Sequence, residues 1–255
     1  EDVRITTRYN EDEFVQSLMG VIHETGHALY ERHLPADWRL QPVGQARGMV
    51  IHESQSLLME MQACRSAAFC KYLSGQLRQT FPANDAAFAP DNLRRIYSRV
   101  QPGFIRVEAD EVTYPAHVIL RYRIEQALIR GDLKLADVPA AWNESFKQLL
   151  GLEVPSDREG CLQDIHWFDG AFGYFPCYSL GAMTAAQLFE AACQAKPGIP
   201  AEIEQGRFAT LQGWLHANVH ELGSSLSTRE IVTKATGRPL DIAVFKRHLE
   251  QRYLN

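Results

Sequence analysis

The segment His23-Glu24-Thr25-Gly26-His27 constrains this chain more than any other five residues in it. It sits in an apolar stripe, Phe14, Leu18, Val21, Ile22 and Leu29, whose spacing is helical. On a helix, residues four apart are turned only about 40° from each other and rise about 6 Å along the axis, so both imidazoles lean toward one point. Glu24, turned about 100° from His23, flanks that point without having to occupy it. Two neutral nitrogen donors with a carboxylate beside them are the groups that metal-assisted hydrolysis needs. The bland alternative is two surface histidines on an ordinary helix. The apolar neighbours Ile22, Ala28 and Leu29 argue against it, because buried imidazoles without partners are costly.

The rest of the chain reads as helices. Asn10 and Glu13 have capping-box spacing at the start of the first, and Pro35 ends it. A loop with Pro42, Gly44 and Gly48 leads to a second long helix over about 49–81. Further helices are expected over about 114–129, 139–150, 168–195, 201–222 and 228–236, with a last one beyond 240. Gly131 and Gly151 stand where C-terminal caps belong, and Ser227 with Glu230 repeats the capping-box spacing. The charged, β-branched stretch 104–112 reads as a strand or extended turn, and residues 2–9 alternate as a strand would. There is no initiator Met, and a strand at the very start lacks a partner, so the chain reads as a piece of a longer polypeptide. No repeat or Pro/Ser-rich linker divides it. The expected organisation is one mainly α domain over 1–255 with a small β element.

Lys and Arg total 26 against 31 Asp and Glu, a formal charge of −5. That balance gives no general electrostatic reason to bind nucleic acid, and no polybasic patch for an anionic membrane. No run of 18 apolar residues exists to span a bilayer. The five cysteines form no CxxC pair and read as reduced core thiols of a cytoplasmic protein.

A catalytic metal needs a third protein ligand and an open position. His33 has the spacing of a third histidine ligand, but Tyr30 stands where that pattern requires a chain-turning Gly. Glu31 lies one turn past His27 and reads as a solvated helix residue, with a supporting role beside the metal as the alternative. Glu60 is a further carboxylate. Glu53, in Ile51-His52-Glu53-Ser54-Gln55-Ser56, is preferred: a helix, a loop and a returning helix can bring it opposite the two imidazoles. This is the gluzincin plan. His52 reads equally as a donor beside the metal ligands or as a core histidine.

HETGH followed by HESQS resembles the carboxypeptidase Taq family, also called thermostable carboxypeptidase 1. Asp2-Val3-Arg4-Ile5-Thr6 matches its D-x-R-x-T motif, and Ile105-Arg106-Val107-Glu108-Ala109-Asp110 its I-R-x-x-A-D motif. Gly160-Cys161-Leu162-Gln163-Asp164-Ile165-His166-Trp167 matches G-x-x-Q-D-x-H-W. Family members are longer, with a helical N-terminal region and a His-Pro-Phe motif that this sequence lacks. The resemblance implies a gluzincin-like helical metallopeptidase that removes a C-terminal amino acid from a peptide and forms a homodimer. The ligands would be His23, His27 and Glu53, the ion zinc, with cobalt or manganese also fitting. Glu24 would be the general base. His166 is the first choice for the donor to the oxyanion, with Tyr174 or Tyr178 behind it. Arg106, then Arg4, would hold the substrate's α-carboxylate, unless each serves only to brace the fold through Asp110, Glu108 or Asp2. Gln163 and Asp164 read as orienting groups. The rivals are a zinc endopeptidase and a metal-binding but inactive domain that mediates dimerisation.

Overall fold

The computed structural model describes residues 2–7, 9, 13–81 and 86–254, and they are mainly helical. The capping box expected at Asn10 falls outside them. The chain divides into two compact units, one formed by Glu1–Tyr97 with Leu180–Asn255 and the other by Ser98–Ser179. In chain order the helices are α1 (Phe14–Arg32), α2 (Gly48–Leu57), a π-helical segment (Leu58–Ala63), α3 (Ala67–Thr80) and α4 (Pro90–Tyr97). They continue with α5 (Tyr114–Arg130), α6 (Val138–Leu150), α7 (Pro176–Ala195), α8 (Ile199–Ile203), α9 (Ala209–Asn218), α10 (Thr228–Thr236) and α11 (Ile242–Tyr253).

The first unit packs around Met19, Tyr30, Ile51, Leu58, Leu188 and Ile231, all buried. Cys64 and Cys70 belong to the same core, and burial pushes their thiols up to about 12 and about 11. Two glycines set how closely its helices approach. A Cβ on Gly26 would lie 2.5 Å from both the Gln55 carbonyl oxygen and the Ser56 Cα, so α1 rests directly on the backbone of α2. A Cβ on Gly181 would lie 2.7 Å from the Cβ of Glu53, so α7 closes against α2 at the same level.

The second long helix differs from expectation. It runs to Leu57, relaxes into π geometry over Leu58–Ala63, breaks at Cys64–Ser66 and restarts as α3. Ser66 caps the new helix, its Oγ accepting from the Phe69 N–H at 3.2 Å. Arg252 on α11 donates Nη1 to the Met61 carbonyl at 2.6 Å, a partner for the widened turn. π-segments occur mostly as single bulges and often at functional sites. The expected helix over 201–222 is likewise divided into α8, α9 and a 3₁₀ turn, His220–Leu222. The helix expected from 168 starts at Pro176, whose missing N–H is harmless in a first turn.

The second unit is built on Leu120, Ile124, Val138, Trp142 and Phe146. Gly131 and Gly151 end α5 and α6 in left-handed conformation, as expected. The expected β element does not form: no strand occurs among the described residues, and 104–112 holds a 3₁₀ turn, Arg106–Glu108. The reason is local. Gln163 accepts from the Arg106 N–H at 2.8 Å and donates to the Phe104 carbonyl at 3.0 Å. Asp110 accepts from the N–H groups of Gln101, Val112 and Thr113. Side chains thus satisfy backbone groups that a ladder would otherwise have to pair. In α10, Ser227 and Glu230 form the reciprocal box their spacing predicts.

Candidate metal centre

Glu53 is 4% exposed and sits between the two histidines of α1. Its Oε2 lies 3.7 Å from His23 Nε2 and 3.8 Å from His27 Nε2. These separations are too long for hydrogen bonds. They are close to the distance of about 3.3 Å between ligands of one tetrahedral zinc, given bond lengths near 2 Å. One donor atom from each residue falls within 4.8 Å of the other two.

The far nitrogens explain the orientation. His23 Nδ1 is 2.9 Å from Glu60 Oε2, and a carboxylate can only accept, so Nδ1 carries the proton. Its Nε2 therefore presents a lone pair toward Glu53. Glu60 is itself held by Arg65, whose Nη2 donates to Oε1 at 2.5 Å. On the other side His52 Nε2 donates to Glu31 Oε1 at 2.9 Å, which leaves His52 Nδ1 as an acceptor for His27 Nδ1–H at 2.5 Å. His27 Nε2 is then also unprotonated. Two separate relays, one from each histidine, turn both lone pairs inward, the arrangement that fixes tautomers in metal sites.

Glu60 is thus bonded to His23 through one carboxylate oxygen and to Arg65 through the other. Glu31, read from sequence as a solvated residue, is half exposed yet bonded to His52. His52 takes the supporting role of its two sequence readings. Arg65 had no signal in the sequence, because nothing in its local pattern tells that the π-helical turn brings it to Glu60.

Electrostatics favours a cation here. Burial alone would lower the His23 pKa, but the Glu60 bond and the charges of Glu60, Glu53 and Glu24 raise it above its ordinary value. Glu60 is held below the usual carboxylate range: its burial is outweighed by Arg65 and His23. Burial, then the charges of His23 and His52, push His27 down to about 3. The three carboxylates Glu60, Glu53 and Glu24 all act on His23 in the direction that favours positive charge at its ring.

Arg4 is exposed and pairs with Asp2, Nε to Oδ2 at 2.7 Å. Arg106, His166 and Tyr174 gather in the second unit. Arg106 is 4% exposed; its Nε and Nη2 meet Asp164 Oδ1 at 3.1 and 2.7 Å, and Nη1 meets the Tyr114 hydroxyl at 2.8 Å. Asp164 also takes Nε of buried Arg121 at 2.7 Å. Asp164 and Gln163 therefore orient Arg106 and its backbone. His166 Nε2 is 2.9 Å from the Tyr178 hydroxyl, and its ring packs on Phe175 and Tyr174 at 4.3 and 5.3 Å between centroids.

The carboxypeptidase Taq (M32) metallopeptidase family model matches residues 1–253. Carboxypeptidase 1 of Bacillus subtilis is 38% identical over 254 residues, covering 100% of this chain and 51% of the relative. Thermostable carboxypeptidase 1 of Thermus thermophilus is 39% identical, covering 99% and 49%. Among solved structures, Trypanosoma cruzi metallocarboxypeptidase 1 superposes with a TM-score of 0.95 at 47% identity, over 99% of this chain and 53% of that one. The M32 carboxypeptidase from Deinococcus radiodurans R1 gives 0.94 at 38%, over 98% and 50%. The chain spans about half the length of the relatives it matches.

Proposed function

The chain belongs to the carboxypeptidase Taq (M32) family of metallopeptidases, and from that premise we propose that it hydrolyses the C-terminal peptide bond of peptides bearing a free carboxylate. The observation that carries the reading is the convergence of His23 Nε2, His27 Nε2 and Glu53 Oε2, each backed by a tautomer-fixing bond or by burial. Zinc is the ion we assign to these donors, with cobalt or manganese compatible with the same set. When bound, such an ion supplies Lewis-acid polarisation of a carbonyl and lowers the pKa of water to near 7.

The chain's own residues do the rest. Glu60 and His52 hold the proton on each Nδ1, so that neither ring can flip without breaking a bond. Glu24 accepts the proton of the attacking water at its carboxylate and returns it to the leaving amine. The roles of His166 and Tyr174 as oxyanion donors, and of Arg106 or Arg4 as carboxylate anchor, rest on the chemistry of those side chains and on the family motifs. We extend the proposal to one catalytic domain over 1–255, two copies per assembly, and a cytoplasmic setting suited to its core thiols. No helix among the described residues is long and apolar enough to cross a membrane.

The test is release of amino acids from a short unblocked peptide by the zinc-loaded chain. The same peptide with an amidated C-terminus should survive. Cleavage of both points to an endopeptidase. Stoichiometric zinc with no release from any peptide points to an inactive metal-binding domain.

A further inference from the structure

The π-helical segment cannot close its own last turn. Its i→i+5 register ends with the Cys64 N–H, which donates to the Met59 carbonyl at 2.9 Å. The Ser66 N–H would close an equivalent ring on Met61, but it turns to the Ala63 carbonyl at 3.3 Å. Met61 therefore carries one of the terminal carbonyls that a helix does not satisfy from within. Arg252 on α11 supplies the donor, Nη1 to the Met61 oxygen at 2.6 Å. A cation at the C-terminal end of a helical segment is also favoured by the dipole of that segment.

The tether is double. His248 stands four residues before Arg252, so the two side chains lean from one face of α11. Buried Gln62 meets the first of them, its Nε2 donating to His248 Nε2 at 3.2 Å. α11 thus grips consecutive residues, Met61 by its backbone and Gln62 by its side chain. Glu60 comes immediately before them, and its carboxylate is committed at both oxygens, to His23 Nδ1 and to Arg65 Nη2. Both commitments depend on the register. A π turn is one residue wider than an α turn, so tightening the segment to i→i+4 would rotate the residues beyond it by up to about 100° around the axis. Glu60 and Arg65 could not then both keep the partners they have.

We propose that Arg252, seconded by His248, is a positioning residue for the metal centre: by holding the π turn open, α11 aims Glu60 at His23 and so fixes which His23 nitrogen is left for a metal ion. The proposal rests on His23, His27 and Glu53 being the ligand set. Arg252 acts through Met61, Glu60 and His23 in turn, and all four residues belong to the same compact unit. The competing role is plain docking of α11. Arg247 on the same helix makes a docking contact of that kind, its Nη2 meeting Glu190 of α7 at 3.1 and 3.3 Å. It therefore serves as the control.

Arg252→Met, Arg252→Lys and Arg247→Met are compared with wild type in two measurements. Zinc affinity is read by competition with a chromophoric chelator. The His23 tautomer is read from long-range nitrogen–proton NMR correlations of the metal-free protein at alkaline pH. Wild type should show His23 protonated at Nδ1. Arg252→Met should weaken zinc binding roughly tenfold and shift His23 toward the Nε2-protonated form. Arg252→Lys, which keeps a cationic donor, should recover most of both. Arg247→Met should leave both at wild-type values, whatever it does to the melting temperature. A wild-type tautomer in Arg252→Met overturns the proposal, and so does an equal effect in Arg247→Met, which would reduce the tether to docking of α11. If Arg252→Met does not fold, Gln62→Leu, which cuts the second tether, takes its place with the same readouts and the same deciding outcomes. A wild type that binds no zinc sinks the metal reading alone, because the tautomer of the metal-free protein still decides whether Arg252 positions His23.

Discussion

His23 on α1 and Glu60 in the π-helical segment are joined by a 2.9 Å bond between Nδ1 and Oε2. The bond fixes which nitrogen of His23 faces Glu53, and Arg65 prevents Glu60 from turning away. Loss of such an outer partner commonly costs ten- to a hundred-fold in metal affinity. Glu60→Gln keeps the shape but can present its amide N–H to Nδ1, which stabilises the wrong tautomer. Zinc affinity, read by competition with a chromophoric chelator, should fall by roughly one to two orders of magnitude. Unchanged affinity would mean that Glu60 supports the fold and nothing more.

Gly26 makes a sharper structural prediction. A methyl group there meets the backbone of Gln55 and Ser56 at 2.5 Å, and backbone cannot swing aside as a side chain can. Overpacking typically costs about 1–3 kcal/mol, and contact with backbone argues for the upper end. Because the displaced strut is α2, which carries Glu53, Gly26→Ala should lower both the melting temperature and zinc affinity. A variant that melts normally and binds zinc normally would show that α1 and α2 have more slack than the contact allows.

Glu24 is expected to act only on protons, so Glu24→Gln should retain stoichiometric zinc and lose about 10²- to 10⁴-fold in kcat. Metal analysis and a peptide-release assay on one preparation decide this. Persisting activity would move the base elsewhere.

Much of this was legible in the sequence, for identifiable reasons. The α1 stripe, the two histidines four apart, the glycine caps at Gly131 and Gly151 and the Ser227–Glu230 box are local patterns, and local patterns survive in one dimension. What stayed hidden is non-local. Glu60 is 37 residues from His23, and only the π-helical turn, which no periodicity announces, aims it there. The stretch 104–112 looked like a strand because of its Ile and Val residues. Asp110 and Gln163 satisfy its backbone instead, and Gln163 is 57 residues from the Arg106 amide it binds. His33, set aside as a ligand for want of a Gly at position 30, packs its ring near those of His216 and His220, a contact that no local pattern announces.

His117 should make the second unit contribute to acid sensitivity. His117 is 0% exposed, and both its ring nitrogens lack partners. Burial, then the positive charges of Arg121 and Arg106, push its pKa down to about 4. The folded state holds the neutral ring, whereas the unfolded chain protonates near its ordinary value of 6.5. The stabilisation is therefore fully present above about pH 6.5 and is lost as pH falls toward 4, by an amount on the order of 3 kcal/mol. Denaturant titrations at pH 7 and pH 4.5 should show that loss, and His117→Leu should reduce it. An equal loss in the variant would assign the acid sensitivity to other groups.

Arg106 decides between two uses of one guanidinium. In the structure it is spent on Asp164 and Tyr114 and nearly sealed from solvent, as a bracing residue would be. The proposed carboxypeptidase activity needs a cation with the fork geometry that pairs both oxygens of a carboxylate, and lysine cannot supply that fork. Arg106→Lys, made in the Glu24→Gln background so that peptide is bound but not cut, separates the two. If Arg106 anchors substrate, calorimetric titration should show the affinity for an unblocked peptide falling roughly tenfold or more, while that for its amidated form barely changes. An equal fall for both peptides, accompanied by a lower melting temperature, would return Arg106 to the framework and leave the anchor to be sought among other cations.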